Sequence, residues 1–167
     1  MTPDRGEAPA PDVTMLATHA FLRGMPPEAV ALLARSCRAS TVPAGRRFFE
    51  EGEAATRFWL LRGGHVALEV HSPGDRRLIV ETLGRGDLLG LSWLLPPYQW
   101  QFGALAIADT AAFEFDGEAV LAGCDADPSL GYHLLRRFLS AASGRLQSAR
   151  IRMLDLYATP TEAGAGP

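Results

Sequence analysis

The sequence predicts a mainly β domain with flanking helices, closed by a long C-terminal helix. Three observations predict it. Between Thr41 and Asp116 short β-branched and aromatic runs are broken at Gly45, Gly52, Gly63-Gly64, Gly74, Gly84, Gly86 and Gly90. No helical segments alternate with those runs, so a roll or sandwich of antiparallel strands is indicated rather than a parallel sheet. From about Asp127 to Tyr157 the apolar period changes to a helical one.

The chain has 167 residues, 47% of them hydrophobic and 21% charged, which suits one globular domain. Residues 1–12 are polar and rich in Pro and Ala, without the basic start and apolar centre of a secretory signal, and read as a disordered arm. Residues 13–157 form the domain, and residues 158–167 a flexible tail. No apolar run approaches the roughly 18 residues that span a bilayer, so no membrane association is expected. With only Cys37 and Cys124, no disulfide framework or paired metal spacing is present, and a cytoplasmic location is expected. Every one of the 16 basic side chains is Arg, and the net charge is −3. That balance argues against a broad electrostatic grip on nucleic acid.

The elements follow in order. Pro26-Pro27-Glu28 opens a short helix with Val30, Leu33, Ala34 and Cys37 on one face. Strands are expected at Arg46–Phe49, Phe58–Leu61, His65–Val70, Arg77–Leu83, Ala104–Ile107 and Ala111–Phe115. Alternation is clearest where Val66, Leu68 and Val70 interleave with Ala67 and Glu69, and where Phe113 and Phe115 flank Glu114. Ser72-Pro73-Gly74-Asp75 reads as a hairpin loop. A short helix is expected around Gly117–Ala122, and Asp127-Pro128 supplies the cap and first turn of the long one.

In the long helix Leu135, Leu139, Ala142, Leu146, Ala149, Met153 and Leu156 are spaced alternately four and three apart, a heptad seam of about three heptads. A second apolar row, Leu134, Phe138 and Ala141, lies beside it. A helix resting on one roll needs one stripe, so the second predicts a partner helix and a homodimer.

The order of elements and their turn motifs resembles the cyclic nucleotide-binding domain of the Crp/Fnr regulator superfamily. The motifs are Pro43-Ala44-Gly45, Glu51-Gly52-Glu53, Phe58 to Val66 and Gly86-Asp87-Leu88-Leu89-Gly90, with Arg145-Leu146-Gln147 in the long helix. The resemblance covers about Phe21 to Tyr157. It implies a double-stranded β-helix, a jelly-roll-like β-roll, serving as a regulatory or sensor module.

In that family a phosphate-binding cassette begins Gly-Glu and ends Arg-Ser/Thr-Ala. The acid accepts from the ribose hydroxyl while Arg and backbone N–H groups hold the phosphate. Here Leu91 follows Gly90 where the acid belongs, and Trp100 or Gln101 stands where the arginine belongs. A charged hydrogen bond to a buried phosphate is worth about 1.5–3 kcal/mol, so tight cyclic nucleotide binding by the usual contacts is not expected. The candidate ligand site comprises Gly90, Leu91, Ser92, Trp93, Trp100, Gln101, Phe102 and Gly103, with Ala149 and Arg150 from the helix. The candidate occupant is a cyclic nucleotide or another small planar or apolar ligand. The resemblance also implies a DNA-binding helix-turn-helix after the long helix; only a short tail follows here, so direct DNA binding is not expected and a protein partner is.

The sequence also fits two other readings less well. One is a ligand-free structural or interaction module, in which the aromatic side chains fill their own pocket. The other is a small cupin-like enzyme, which needs His and carboxylate ligands converging on a metal. The histidines are His19, His65, His71 and His133; His65 and His71 lie at opposite ends of one strand, roughly 20 Å apart at the usual rise. Cys37 reads as core on the apolar face of the first helix, Cys124 lies at a helix boundary with no His nearby in sequence, and Arg62-Gly63-Gly64 lacks the lysine of a phosphate loop. No catalytic residues and no metal ligands are assigned.

Overall fold

The computed structural model of the protein describes residues 10–158. Two short N-terminal turns, α1 (Val13–Ala17) and a 3-10 turn (Ala20–Leu22), precede α2 (Pro27–Arg35). Eight strands follow: β1 (Cys37–Val42), β2 (Arg47–Phe49), β3 (Arg57–Gly63), β4 (Val66–Ser72), β5 (Arg76–Leu83), β6 (Leu88–Leu89), β7 (Gly103–Ala106) and β8 (Thr110–Asp116). Helices α3 (Gly117–Ala126) and α4 (Pro128–Ala158) complete the chain.

The strands form two antiparallel four-stranded sheets, ordered β1-β8-β3-β6 and β2-β7-β4-β5. Both contribute to one core, through Phe58, Leu60 and Phe113 from the first and Phe49, Val66 and Leu68 from the second. The expected roll and its six strands are present within a residue or two of the predicted bounds. The Ser72–Asp75 loop closes the β4–β5 hairpin, with Ser72 paired to Arg76.

Several expectations need correcting. Cys37 is not on the first helix: α2 ends at Arg35, and Cys37 opens β1, paired with Phe115. It is buried all the same, as the first residue of a strand that pairs with β8. Strands β1 and β6 were not foreseen. The predicted arm of residues 1–12 lies outside the described residues except for positions 10–12. The predicted tail does too, apart from Ala158, which is the last residue of α4.

The predicted alternation is half masked, because both faces of β4 and β8 are covered in part. Ala67 and Glu69 are buried beside Val66 and Leu68, and Glu114 beside Phe113 and Phe115. Arginines provide the cover. Arg47 donates to Glu69 at 2.8 Å, and Arg38 and Arg57 both donate to Glu114. Burial pushes the Glu114 pKa up, but hydrogen bonds from Arg38 and Trp59 and the two positive charges outweigh it, leaving the carboxyl below its ordinary range.

Caps explain the helix starts. Asp116 accepts from the Ala119 N–H at 3.1 Å, and Asp127 accepts from the Ser129 N–H at 3.1 Å. The two apolar rows of α4 part at its N-terminal half. Leu134 and Phe138 are buried against the roll, whereas their neighbours Leu135 and Leu139 are 55% and 63% exposed.

Candidate functional site

A cavity of about 660 Å³ lies between the roll and α4. Its floor is Trp100, whose ring stacks on Phe49 with centroids 3.7 Å apart. Gly90 makes that packing possible: its φ is +95°, and a Cβ there would lie 3.0 Å from Trp100 Cη2. One wall is the segment Gly90–Ser92, a second the loop from Leu95 to Phe102, and a third Leu68, Val80 and Glu81 from β4 and β5.

Val80 and Glu81 are adjacent, yet both line the cavity. A regular strand would point them to opposite faces. The β4–β5 ladder shifts register between Leu68 and Glu69, so that Leu68 pairs with Glu81 and Glu69 with Ile79. Val80 is the extra residue of a bulge, which brings both side chains to the same side.

The roof is α4. Ala142, Arg145, Leu146, Ala149 and Arg152 recur at helical spacing along the face over the cavity. Arg145 is the half-buried cation of the site. Burial lowers its pKa against the favourable fields of Glu81 and Asp87, and its guanidinium lies 4.0 Å from the Glu81 carboxylate.

Of the residues expected at a ligand site, Gly90, Leu91, Ser92, Trp100, Gln101, Phe102 and Ala149 line this cavity. Trp93, Gly103 and Arg150 do not. Trp93 is buried in the core, stacked on Phe58 at 4.8 Å and edge-on to Phe138 at 5.4 Å. Gly103 opens β7 on the other side of the sheet, where its Cβ position meets the Arg47 guanidinium. Arg150 is exposed, and the α4 arginines at the cavity are Arg145 and Arg152. Sequence reasoning missed these two and Glu81; counting three and four residues either way from Ala149 would have reached Arg145 and Arg152.

Ala142, Leu146 and Ala149 of the predicted seam line the cavity, while Leu135, Leu139, Leu146, Met153 and Leu156 are more than half exposed. Elsewhere the chemistry is quiet. Burial pushes the Cys37 thiol up to about 12, and Cys124 is also raised by burial. Among the described residues no group of three or more His, Cys, Asp or Glu side chains is arranged to hold a metal ion. The acidic turn Glu50–Glu53 is tied to the second sheet, with Glu51 accepting from His71 at 2.9 Å and Glu50 from Arg77 at 3.0 Å.

A family model described as the cyclic nucleotide-binding domain matches residues 39–127, which include the whole roll from β2 to β8. The chain belongs to the cyclic nucleotide-binding domain family. As a member of that family it is related to regulators of the Crp/Fnr type. It is 26% identical over 134 residues to the HTH-type transcriptional regulator Cmr of Mycobacterium tuberculosis, covering 80% of this chain and 53% of that one. The chain thus spans about half the length of this curated relative.

Solved structures share the fold. A cyclic nucleotide-binding protein from Geobacter metallireducens superposes with a TM-score of 0.73 at 22% identity, covering 81% of this chain and 98% of that one. The Catabolite Activator Protein of Thermus thermophilus gives 0.64 at 25% identity, covering 83% and 63%. Among the described residues, no helix of this cyclic nucleotide-binding domain is long and apolar enough to cross a membrane.

Proposed function

We propose that this domain is a cytoplasmic, homodimeric sensor in which a small planar or apolar ligand occupies the cavity between the roll and α4. The observation that carries the reading is the cavity's position, since an occupant touches Trp100 and Leu68 on the roll and Ala142 and Ala149 on the helix together. A ligand that fits one placement of α4 better than another shifts the balance between them, and a partner protein reads the change.

The ligand is not held by the family's usual contacts. Leu91 replaces the ribose-binding acid, and neither Trp100 nor Gln101 makes a charged fork to phosphate. A ligand-free interaction module draws support from the packing of Trp93 and Trp100, but the volume left open beside Gly90 and Trp100 favours the sensor. The module acts by binding rather than by catalysis; the buried, high-pKa Cys37 is a poor nucleophile. The outward row of α4 supports the homodimer, since so long an apolar stripe marks an interaction surface.

Thermal unfolding against cyclic mononucleotides, haem, and small aromatic and acyl compounds tests the sensor, because a ligand at 100 times its dissociation constant adds about 2.7 kcal/mol. A stabilising shift with any of them is expected. A folded protein that responds to none favours the scaffold. Sedimentation velocity tests the dimer: the parent chain should sediment at twice its monomer mass, and Leu139→Glu at the monomer mass while still folded, with an unfolding temperature lowered by the lost association. A monomeric parent chain overturns the homodimer.

A further inference from the structure

We infer that the cavity is built for an amphiphilic monoanion, an aromatic or acyl carboxylic acid, whose acid end is held by Arg145 of α4 rather than by the roll. The inference rests on the reading of the cavity as a ligand site. The lining divides by polarity. Phe49, Leu68, Leu89, Leu91 and Trp100 make an apolar interior, and the charged side chains are Glu81 from β5 and Arg145 and Arg152 from α4.

The lining itself holds two cations and one carboxylate; Arg152 is exposed to solvent, and Asp87, outside the lining, adds a second negative field at Arg145. Arg145 carries most weight, because its side chain is only 22% exposed and its carboxylate partner stands at 4.0 Å, beyond hydrogen-bond reach. A half-buried guanidinium presents paired N–H donors that fit a carboxylate fork. Glu81, brought in by the bulge at Val80, disfavours a second negative charge beside the first.

The body of the ligand is chosen by the other end. A cyclic nucleotide is also a monoanion, but its sugar and base carry more polar groups than Ser92, Gln99 and Gln101, the neutral polar side chains of the lining, can pair. An aromatic ring or short acyl chain against Trp100 and Leu68 loses nothing of that kind and gains apolar burial. The arrangement gives the helix the anchoring contact, so release of the acid frees α4 directly.

Isothermal titration of the full chain with naphthoate, indoleacetate and decanoate, each beside its amide and beside cyclic AMP and cyclic GMP, tests this. The acids should bind more tightly than their amides and than either cyclic nucleotide. Arg145→Gln should weaken them by about ten- to hundredfold, the usual range for a charged hydrogen bond. Glu81→Gln should have the opposite sign and tighten them, which keeps the test alive if Arg145→Gln does not fold. Equal binding of acids and amides, tighter binding of a cyclic nucleotide, or an Arg145→Gln protein that folds and binds unchanged overturns the inference while leaving the cavity a ligand site. No binding by any acid, amide or nucleotide to the folded parent chain overturns both.

Discussion

Two tryptophans of one short segment, Trp93 and Trp100, lie under the same helix and meet opposite fates. At the Trp93 end the interface is closed. Trp93, Phe58 and Phe138 interlock at 4.8 to 5.4 Å, with Phe115 stacked behind Phe58 at 4.6 Å. At the Trp100 end a cavity of about 660 Å³ remains. The difference is made by α4, which offers Leu134 and Phe138 to the first end but Ala142, Ala149 and the long, flexible Arg145 to the second. Small and polar residues at the right helical phase keep one half of an otherwise close-packed contact open. The closed end anchors the helix, and the open end leaves it something to respond to.

The sharpest way to break this contrast is to open the closed end. Phe138→Ala should cost about 3–5 kcal/mol, the range for a buried aromatic truncation, read by chemical denaturation. A cost under about 1 kcal/mol would mean that this end is no anchor. Overpacking the same end should cost less. A Cβ on Gly117 would stand 2.6 Å from Trp93 Cε3 and 2.9 Å from the Thr56 carbonyl oxygen. One of those neighbours is backbone and cannot swing away. Gly117→Ala is therefore expected to lose about 1–3 kcal/mol in the same denaturation measurement.

At the open end the same kind of change should be nearly free. Val80 is 39% exposed and faces the cavity from an edge strand. Val80→Phe exchanges one strand-forming residue for another and fills space that is empty of protein, so stability should move by no more than about 0.5 kcal/mol. Whatever ligand-induced thermal shift the parent chain gives should shrink. A large loss of stability would show that the cavity wall is already packed, and would erase the difference between the two ends.

The contrast also marks what the sequence could and could not reveal. The strand rhythm, the Ser72–Asp75 hairpin and the inward Leu134–Phe138 row of α4 were legible because each depends on local period and turn chemistry. Six of the cassette positions expected at the site line the cavity because they share one stretch of chain, Gly90 to Phe102, and Ala149 joins them from α4. Trp93 and Trp100 were indistinguishable in sequence, since only the placement of α4 decides which ring is sealed. Glu81 was hidden because a bulge is a property of two strands in register, not of one. Arg150 points away from the cavity and Arg145 into its lining because the phase of the helix against the roll is tertiary information. The start of strand β1 was hidden because Cys37 continues the apolar spacing of α2 past the point where Ser36 caps it.

The smallest expected effect comes from the proton balance of the closed end. His19 uses both ring nitrogens: Nε2–H donates to the Leu61 carbonyl at 2.8 Å, and Nδ1 accepts from the Phe21 N–H at 3.2 Å. Phe21 in turn packs edge-on against Phe138 at 5.3 Å. Burial lowers the His19 pKa, opposed by its bond to Leu61 and the field of Asp87. A histidine held neutral in the fold contributes stability in full above its unfolded value near 6.5. That contribution is lost as the pH falls from there through the folded value, because the unfolded chain takes up the proton first. Protonation also removes the acceptor for the Phe21 N–H, so the loss falls on the anchor and not on the cavity. Denaturation midpoints measured from pH 7.5 downward should therefore decline more steeply just below neutrality in the parent chain than in His19→Gln. The ligand response per unit of remaining stability should stay constant over the same range. Equal slopes in the two proteins would remove His19 from the account of how the closed end is held.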